Sequence, residues 1–281
     1  MSTGRVLPGL VASTVGYRDE GPAQPVHRGL PSPYLTFIFS LADPIVTGES
    51  AEHAAGTEAW RSSIIVGGLH QRPAFIVPDD HQQGIQLAVH PLAARALFGV
   101  SAVELVALVT DGADIIGAPV EQLRQRLVEE ESWAARFAAL QDFLHDRVAR
   151  AGGFVEPRAE LAEAWRWLAW HRGHGSMTGL ARHVALSPRQ LSTVFVRELG
   201  VGPKQVARLM RFHHAVQLVT AAMPTGALDL SAVANRAGFF DHAHLDRDFA
   251  QFAGLSPTAW LAEERRNIQA GGHRNGEDWT T

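Results

Sequence analysis

The chain has 281 residues, 46% of them hydrophobic, and a formal net charge of −4 at pH 7. That length accommodates two domains with cores of their own. It contains no cysteine, which excludes disulfides, thiolate zinc sites and cysteine nucleophiles together.

No apolar run approaches the ~18 to 20 residues needed to span a bilayer, and MSTGRVLPGL lacks the charged-then-apolar order of a signal peptide. A cytoplasmic protein without a membrane partner is therefore expected. Charge divides unevenly along the chain. Residues 1–156 hold 11 Arg/Lys against 18 Asp/Glu, a net −7, and residues 157–281 hold 14 against 11, a net +3. The asymmetry suggests a basic C-terminal module with an acidic partner.

From the N-terminus, YLTFIFSL (34–41), SSIIVGG (62–68), PAFIVP (73–78) and GIQLAVHP (84–91) are short β-rich runs separated by Gly and Pro. They predict a small antiparallel sheet or barrel. One short helix is expected after Pro91 through LAARALFG, and a second through SAVELVALV. From Pro119, VEQLRQRL and SWAARFAALQDFLHDRV place apolar residues three and four apart, as amphipathic helices do, with EEES (129–132) as the break between them. AGGFVEP (151–157) is the best linker, everything beyond it to about Glu264 reads as helices, and GGHRNGEDWTT is expected to be a disordered tail.

Two kinds of residue in these segments invite chemistry. His70, His81 and His90 lie in or beside predicted strands and are candidates for metal ligation; packed, hydrogen-bonded histidines are the expected reading. Trp165, Trp167 and Trp170 in EAWRWLAWHRG are expected to contribute core to the helix they occupy, in preference to stacking on bases. No nucleophile elbow, phosphate loop or dinucleotide fingerprint is present in the sequence.

The helical half contains a repeat. LARHVALSPRQLSTVFVRELGVGP (180–203) aligns with VANRAGFFDHAHLDRDFAQFAGLSP (233–257) once Phe240 is allowed as an extra residue. Ala181 then matches Ala234, Leu191 matches Leu245, Phe195 matches Phe249, Gly200 matches Gly254 and Pro203 matches Pro257. Each copy reads helix, tight turn, helix. In the first, Ser187 is the N-cap, Pro188 the first helical residue, Gln190 the closing member of a capping box and Gly200 the C-cap. In the second, Gly238 supplies the turn and Asp241 the N-cap. This is the sequence form of a helix-turn-helix, whose second helix enters a DNA major groove.

The segment GFFDHAHLDRDFAQF crowds histidines and aspartates together, and a metal site, a solvated face and a nucleic-acid-reading face are the alternatives. At ~100° per residue Leu245, Phe249 and Phe252 share one face, while Ala243, Arg247 and Gln251 point away with His244 and Asp246 on the flanks. The pairs His242/Asp246 and His244/Asp248 lie on different sides and cannot close around one ion. In the first copy Leu191, Val194, Phe195 and Leu199 face inward, and Arg189, Thr193 and Arg197 face outward with Gln190 and Ser192 beside them. These are side-chain types that reach base edges, so the DNA-reading candidates are Arg189, Gln190, Ser192, Thr193, Arg197, His242, Ala243, His244, Asp246, Arg247 and Gln251.

On these residues, and on GLSPTAW (254–260) following AGFFDHAHLDRDF, the segment of roughly residues 160–264 resembles the DNA-binding domain of AraC/XylS-type transcriptional regulators. Arg211 and Ala215 match the family's joining helix, whereas Thr193, Ala250 and Val206 depart from its pattern of two basic residues and an aromatic. The resemblance implies an α+β chain: residues 1–118 as a β-rich, cupin-like sensor domain, 119–156 as a helical connector and linker, 157–266 as two helix-turn-helix units joined by a long helix, and 267–281 as the tail. It implies operator or promoter double-stranded DNA and a small-molecule effector as partners, with RNA polymerase and a second copy of the chain as further candidates, and no cofactor. The alternative is an enzyme whose catalytic β-rich half is fused to a DNA-binding module. The absence of cysteine removes the acceptor thiol of alkyl-transferring repair proteins that carry the same kind of domain.

Overall fold

Alternation along the apolar runs decides how the N-terminal strands are used, because successive side chains of a strand point to opposite faces. The computed structural model describes residues 7, 9–19, 26–105, 107–152, 157–223 and 228–269. Its N-terminal part contains β1 (Val11–Asp19), β2 (His27–Gly29), β3 (Leu35–Ser40), β4 (Ile45–Gly48), α1 (Ala51–Ala55), β5 (Trp60–Ser62), β6 (Ile64–Gly67), β7 (Ala74–Val77) and β8 (Gln82–Val89). After them come α2 (Ala94–Phe98), β9 (Thr110–Asp111), α3 (Gly112–Ile116), α4 (Ala118–Glu129) and α5 (Trp133–Arg150). The strands form two antiparallel sheets, ordered β1-β8-β3-β6-β9 and β2-β7-β4-β5.

In β3, Leu35, Phe37 and Phe39 are fully buried on one face, and Phe37 meets Phe98 of α2 edge-on at 5.1 Å. Thr36 and Ile38 point the other way, into a cavity that the second sheet also lines. The register carries this inner face across the sheet: Ile38 pairs with Gln86 on one side and Ile65 on the other. Arginines fix the helical cover, with Arg124 Nε of α4 donating to the Ser40 carbonyl at 2.9 Å and Arg147 Nε of α5 donating to that of Leu97 at 2.9 Å.

The four sequence-predicted strands are present, and five that the sequence analysis did not name, β1, β2, β4, β5 and β9, complete the sheets. Runs such as VASTVGYRD carry too much Ser, Thr, Gly and charge to stand out, and β1 becomes a strand by pairing with β8 over nearly its whole length. A second difference concerns SAVELVALV, where the expected helix is only a 3-10 turn, Ala102–Glu104. There Glu104 Oε1 accepts from both the Ser101 backbone N–H and hydroxyl, which closes one turn, and the Leu105 carbonyl then lies against Gly68. Packing against the sheet ends the helix before its periodicity can be used. The start of the linker AGGFVEP is described and residues 153–156 are not; the tail from residue 270 onward likewise lies outside the described residues.

The C-terminal part is all helix: α6 (Ala159–Trp170), α7 (Met177–His183), α8 (Pro188–Leu199), α9 (Pro203–Ala221), α10 (Leu230–Ala237), α11 (His242–Phe252) and α12 (Pro257–Gln269). Helix α9 has 19 residues, about 28 Å at ~1.5 Å per residue. The α+β expectation is therefore met, but the buried side chains do not divide at the linker. One apolar cluster runs from Phe37, Phe98 and Leu140 through Trp165 of α6 to Leu180, Leu191 and Phe195 of α7 and α8, and ends on Val206, Ala207 and Met210 of α9. A second comprises Leu209, Phe212, Ala215 and Val219 of α9 with Leu245, Phe249 and Phe252 of α11 and Trp260 and Leu261 of α12.

Among the tryptophans, Trp165 is 4% exposed and packs on His90 at 4.8 Å. Trp167 stacks on His171 at 4.0 Å, but Trp170 is 87% exposed, so the expectation of core fails for that residue. Trp170 is the last residue of α6, where the apolar face has run past the body it covers.

Gly173 shows how closely α9 is seated. It adopts φ +77°, and a Cβ there would stand 2.1 Å from the Ala207 carbonyl oxygen of α9. Gly173→Ala is expected to cost more than about 2 kcal/mol, combining left-handed backbone strain with displacement of α9. Chemical denaturation of the full chain checks this, and an unchanged midpoint would contradict it.

Candidate nucleic-acid interface and ligand cavity

The first helix-turn-helix unit is α7, its turn and α8. Small Ala181, 1% exposed, lets α7 and α8 approach closely. Ser187 Oγ accepts from the Gln190 N–H at 3.2 Å, while Gln190 Oε1 accepts from the Ser187 N–H at 2.9 Å and its hydroxyl at 2.8 Å. Gly200 closes the helix in the left-handed region at φ +75°. Leu191, Val194, Phe195 and Leu199 are buried, and Arg189, Gln190, Ser192, Thr193 and Arg197 are all exposed along one side. Several of these already have partners. The Gln190 carbonyl oxygen is used by the cap, Thr193 Oγ1 donates to the Arg189 carbonyl at 3.0 Å, and Arg197 Nε lies 3.0 Å from Glu198.

The second unit is α10 and α11. Gly238 makes the turn at φ +78°, where a Cβ would fall 2.0 Å from the His174 ring, so both its conformation and its surroundings require glycine. Asp241 Oδ1 accepts from the His244 N–H at 2.8 Å and caps α11. Leu245, Phe249 and Phe252 are buried as the helical wheel requires. His242, Ala243, Arg247 and Gln251 are exposed, and His244 and Asp246 are half-buried beside them. Phe240, immediately before the cap, is 93% exposed.

One member of this helix departs from the sequence reading. Asp248 is not part of a surface cluster but is 2% exposed, 2.6 Å from Arg208 Nη2 of α9. The same Nη2 donates to Gln251 Oε1 at 2.8 Å, and the guanidinium sits 4.9 Å over the Phe252 ring. A buried carboxylate needs such a partner. Sequence reasoning missed it because the two residues are 40 apart, although an Asp one residue before Phe249 on a buried face was a signal for it.

Among the described residues no three potential ligands converge on a metal position. His70 Nδ1 bonds to the Arg72 carbonyl at 2.6 Å, His81 Nδ1 to that of Asp80 at 2.8 Å, and His90 Nδ1 accepts from the Leu92 N–H at 3.2 Å. Burial lowers the His90 pKa to about 4, so its ring is neutral at pH 7.

A cavity of about 210 Å³ lies between the two sheets and is closed by α9 and α12. The strands contribute Thr36, Ile38, Thr47, Ile65, Ile76 and Gln86, and the helices contribute His213, Val216, Gln217, Thr220, Trp260 and Glu264. Arg28, at the rim from β2, is held by Glu263 of α12 at 3.0 Å and lies 4.9 Å over the Phe75 ring. His213 is kept neutral, its pKa lowered to about 4 by burial. Glu264 is 3% exposed, its Oε1 has no hydrogen-bond partner among the described residues, and desolvation raises its pKa to about 7.

Residues 180–263 match the model of a family described as a helix-turn-helix domain. The C-terminal part of this chain is an AraC-type helix-turn-helix domain. The arabinose operon regulatory protein of Salmonella typhimurium is 26% identical over 127 residues, 44% of this chain and 44% of its own length, so the chain spans less than half of that relative. Solved structures of ToxT from Vibrio cholerae align with 89% of this chain at 12% identity and a TM-score of 0.49, covering 97% of one ToxT chain and 98% of another bound to (E)-4-(8-methylnaphthalen-1-yl)but-3-enoic acid.

The helix-turn-helix domain thus meets the β-rich half at two charged positions of α12, Glu263 and Glu264, of which Glu263 is paired and Glu264 is not. Because the folded state holds the Glu264 proton more tightly than the unfolded chain does, the neutral acid's contribution is complete below pH ~4.5 and is lost as pH rises through about 7. Glu264→Gln removes that titration. The variant is expected to gain on the wild type as pH rises from 5 to about 7 and to level off above that, by up to about 3 kcal/mol. Denaturation of both proteins across that range checks the sign, and a gap independent of pH would contradict the assignment.

Proposed function

We propose that the chain is a sequence-specific DNA-binding transcriptional regulator that reads two neighbouring major grooves and responds to a small molecule held in the cavity between the sheets and α9. The observation that carries the reading is the pair of capped helices, α8 and α11, each with an apolar face in a core and a polar face exposed, mounted on one continuous helix. In this reading residues 1–118 sense, 119–156 connect and 157–266 bind operator or promoter DNA. RNA polymerase and a second copy of the chain are the further partners the family resemblance implies. The β-rich half binds its effector without turning it over, and the protein works in the cytoplasm, where bacterial DNA is.

Base reading falls to the exposed side chains with free donors. Arg189 and Arg247 present guanidinium forks, the geometry that meets guanine O6 and N7; Arg247 Nε is bonded to the Ala243 carbonyl at 3.1 Å, which leaves its terminal nitrogens. Gln190 and Gln251 have their carbonyl oxygens engaged, by the cap and by Arg208 respectively, so each offers N–H donors to a base acceptor. Ser192, Thr193, Arg197, His242 and His244 supply shorter or peripheral contacts, Ala243 an apolar contact to a thymine methyl, and Asp246 an acceptor.

A duplex selected from a random pool by the full chain provides the operator for the test. Arg189→Ala and Arg247→Ala are each expected to weaken binding to it by about 5- to 150-fold at fixed salt, or about 1–3 kcal/mol, with thermal melting unchanged. Gel-shift titration reads the effect, and normal operator binding by either variant would remove that residue from the interface.

A further inference from the structure

Of the seven buried side-chain oxygens and nitrogens without hydrogen-bond partners among the described residues, three belong to residues lining the cavity: Thr47 Oγ1 of β4, Thr220 Oγ1 of α9 and Glu264 Oε1 of α12. Each costs free energy unless something in the cavity satisfies it. The rest of the wall is largely apolar, with Ile38, Ile45, Ile65, Ile76, Val216 and Trp260.

Charge sets the sign of the missing partner. Arg28 is committed to Glu263. His213 and His70 are held neutral by burial, and the chain's lysine, Lys204, does not line the cavity. Among the described residues Glu264 is therefore an acid without a paired cation, in a mostly apolar chamber. An anionic ligand would have to approach that acid, and the guanidinium on the lining, Arg28, is already neutralised by Glu263. For size, a protein cavity of ~150 Å³ holds benzene, so about 210 Å³ takes one aromatic ring or two fused rings with a short side chain.

We propose, resting on the reading of this cavity as the effector site, that its ligand is a compact apolar molecule bearing a basic, hydrogen-bond-donating nitrogen, which pairs with Glu264 and is flanked by the hydroxyls of Thr47 and Thr220. Such a ligand touches β4 of the sensor half and α9 and α12 of the helix-turn-helix domain at once. Binding it joins the two halves through the very helix whose neighbouring residue, Glu263, already holds Arg28.

Isothermal calorimetry of the full chain with two matched sets tests this: 2-phenylethylamine, 2-phenylethanol and 3-phenylpropionate, and tryptamine, tryptophol and indole-3-acetate. In at least one set the amine is expected to bind ten-fold or more tightly than both its alcohol and its carboxylate. Glu264→Gln, shown to be folded by circular dichroism, should abolish that preference, and Thr220→Val should weaken amine binding by a smaller factor. A tighter carboxylate, equal binding across a set, a preference that survives Glu264→Gln, or no amine binding at millimolar concentration would each overturn the proposal. Selection of a DNA duplex by the wild-type chain is read separately. A carboxylate that binds while DNA selection persists refutes the ligand class alone, whereas failure to select any duplex refutes the regulator reading.

Discussion

Helix α9 puts its side chains into two different cores, and the arrangement of everything C-terminal to the sheets follows from that. Val206, Ala207 and Met210 belong to the cluster that continues from the sheets through α6, α7 and α8, while Leu209, Phe212, Ala215 and Val219 belong to the cluster built around α11 and α12. Phe212 meets Phe249 of α11 at 5.0 Å and Phe252 at 4.9 Å. A close-packed interior does not deform smoothly, so neither α8 nor α11 can change its angle to α9 without opening a core. The arrangement of their two exposed faces thus depends on one helix of 19 residues.

The same constraint explains how a cavity between strands can bear on DNA. Residues of α9 and α12 close the chamber, and both helices also pack in one core with α11, where Trp260 of α12, itself a lining residue, lies 6.0 Å from Phe249. A ligand that satisfies groups on β4, α9 and α12 adds binding energy at the junction of the β-rich half and the helical half, and it can bias their arrangement only to the extent that it binds one arrangement better. The first unit is held differently. It shares its core with the sheets, and the backbone of Val103 lies 3.4 Å from where a Cβ of Gly200 would be. Helices α8 and α11 are thus unequally tied to the β-rich half: α8 through a continuous core, and α11 through α9, α12 and the Arg28–Glu263 pair.

What could be read in the sequence was local chemistry. Ser187, Gln190, Gly200, Gly238 and Asp241 each act within four residues of themselves, and the structure uses every one as its residue type demands. The wheels of α8 and α11 were equally legible, since period and amphipathicity fix which side is buried. What could not be read depended on partners distant along the chain. β1 is a strand because β8 pairs with it, Asp248 is buried because Arg208 reaches it, and Glu264 is isolated because strands more than about 170 residues earlier form the opposite wall. The polar residues Thr36 and Gln86, each set between apolar neighbours in its strand, were a trace of the cavity in the sequence, and their meaning required knowing that the second sheet faces them.

In the proposed reading one chain lays two dissimilar helices into successive major grooves on one face of DNA, ~34 Å apart along a helical turn, both carried by α9, which is itself about 28 Å long, with bending of the duplex to absorb any mismatch. Hydroxyl-radical footprinting of the full chain on its selected duplex measures this directly. Two protected patches one turn apart on the same face are expected for each chain bound, with unlike sequences beneath them because SPRQLSTVFVR and DHAHLDRDFAQ present different side chains. A single protected groove per chain, or a palindrome one turn long occupied by two chains, would contradict it.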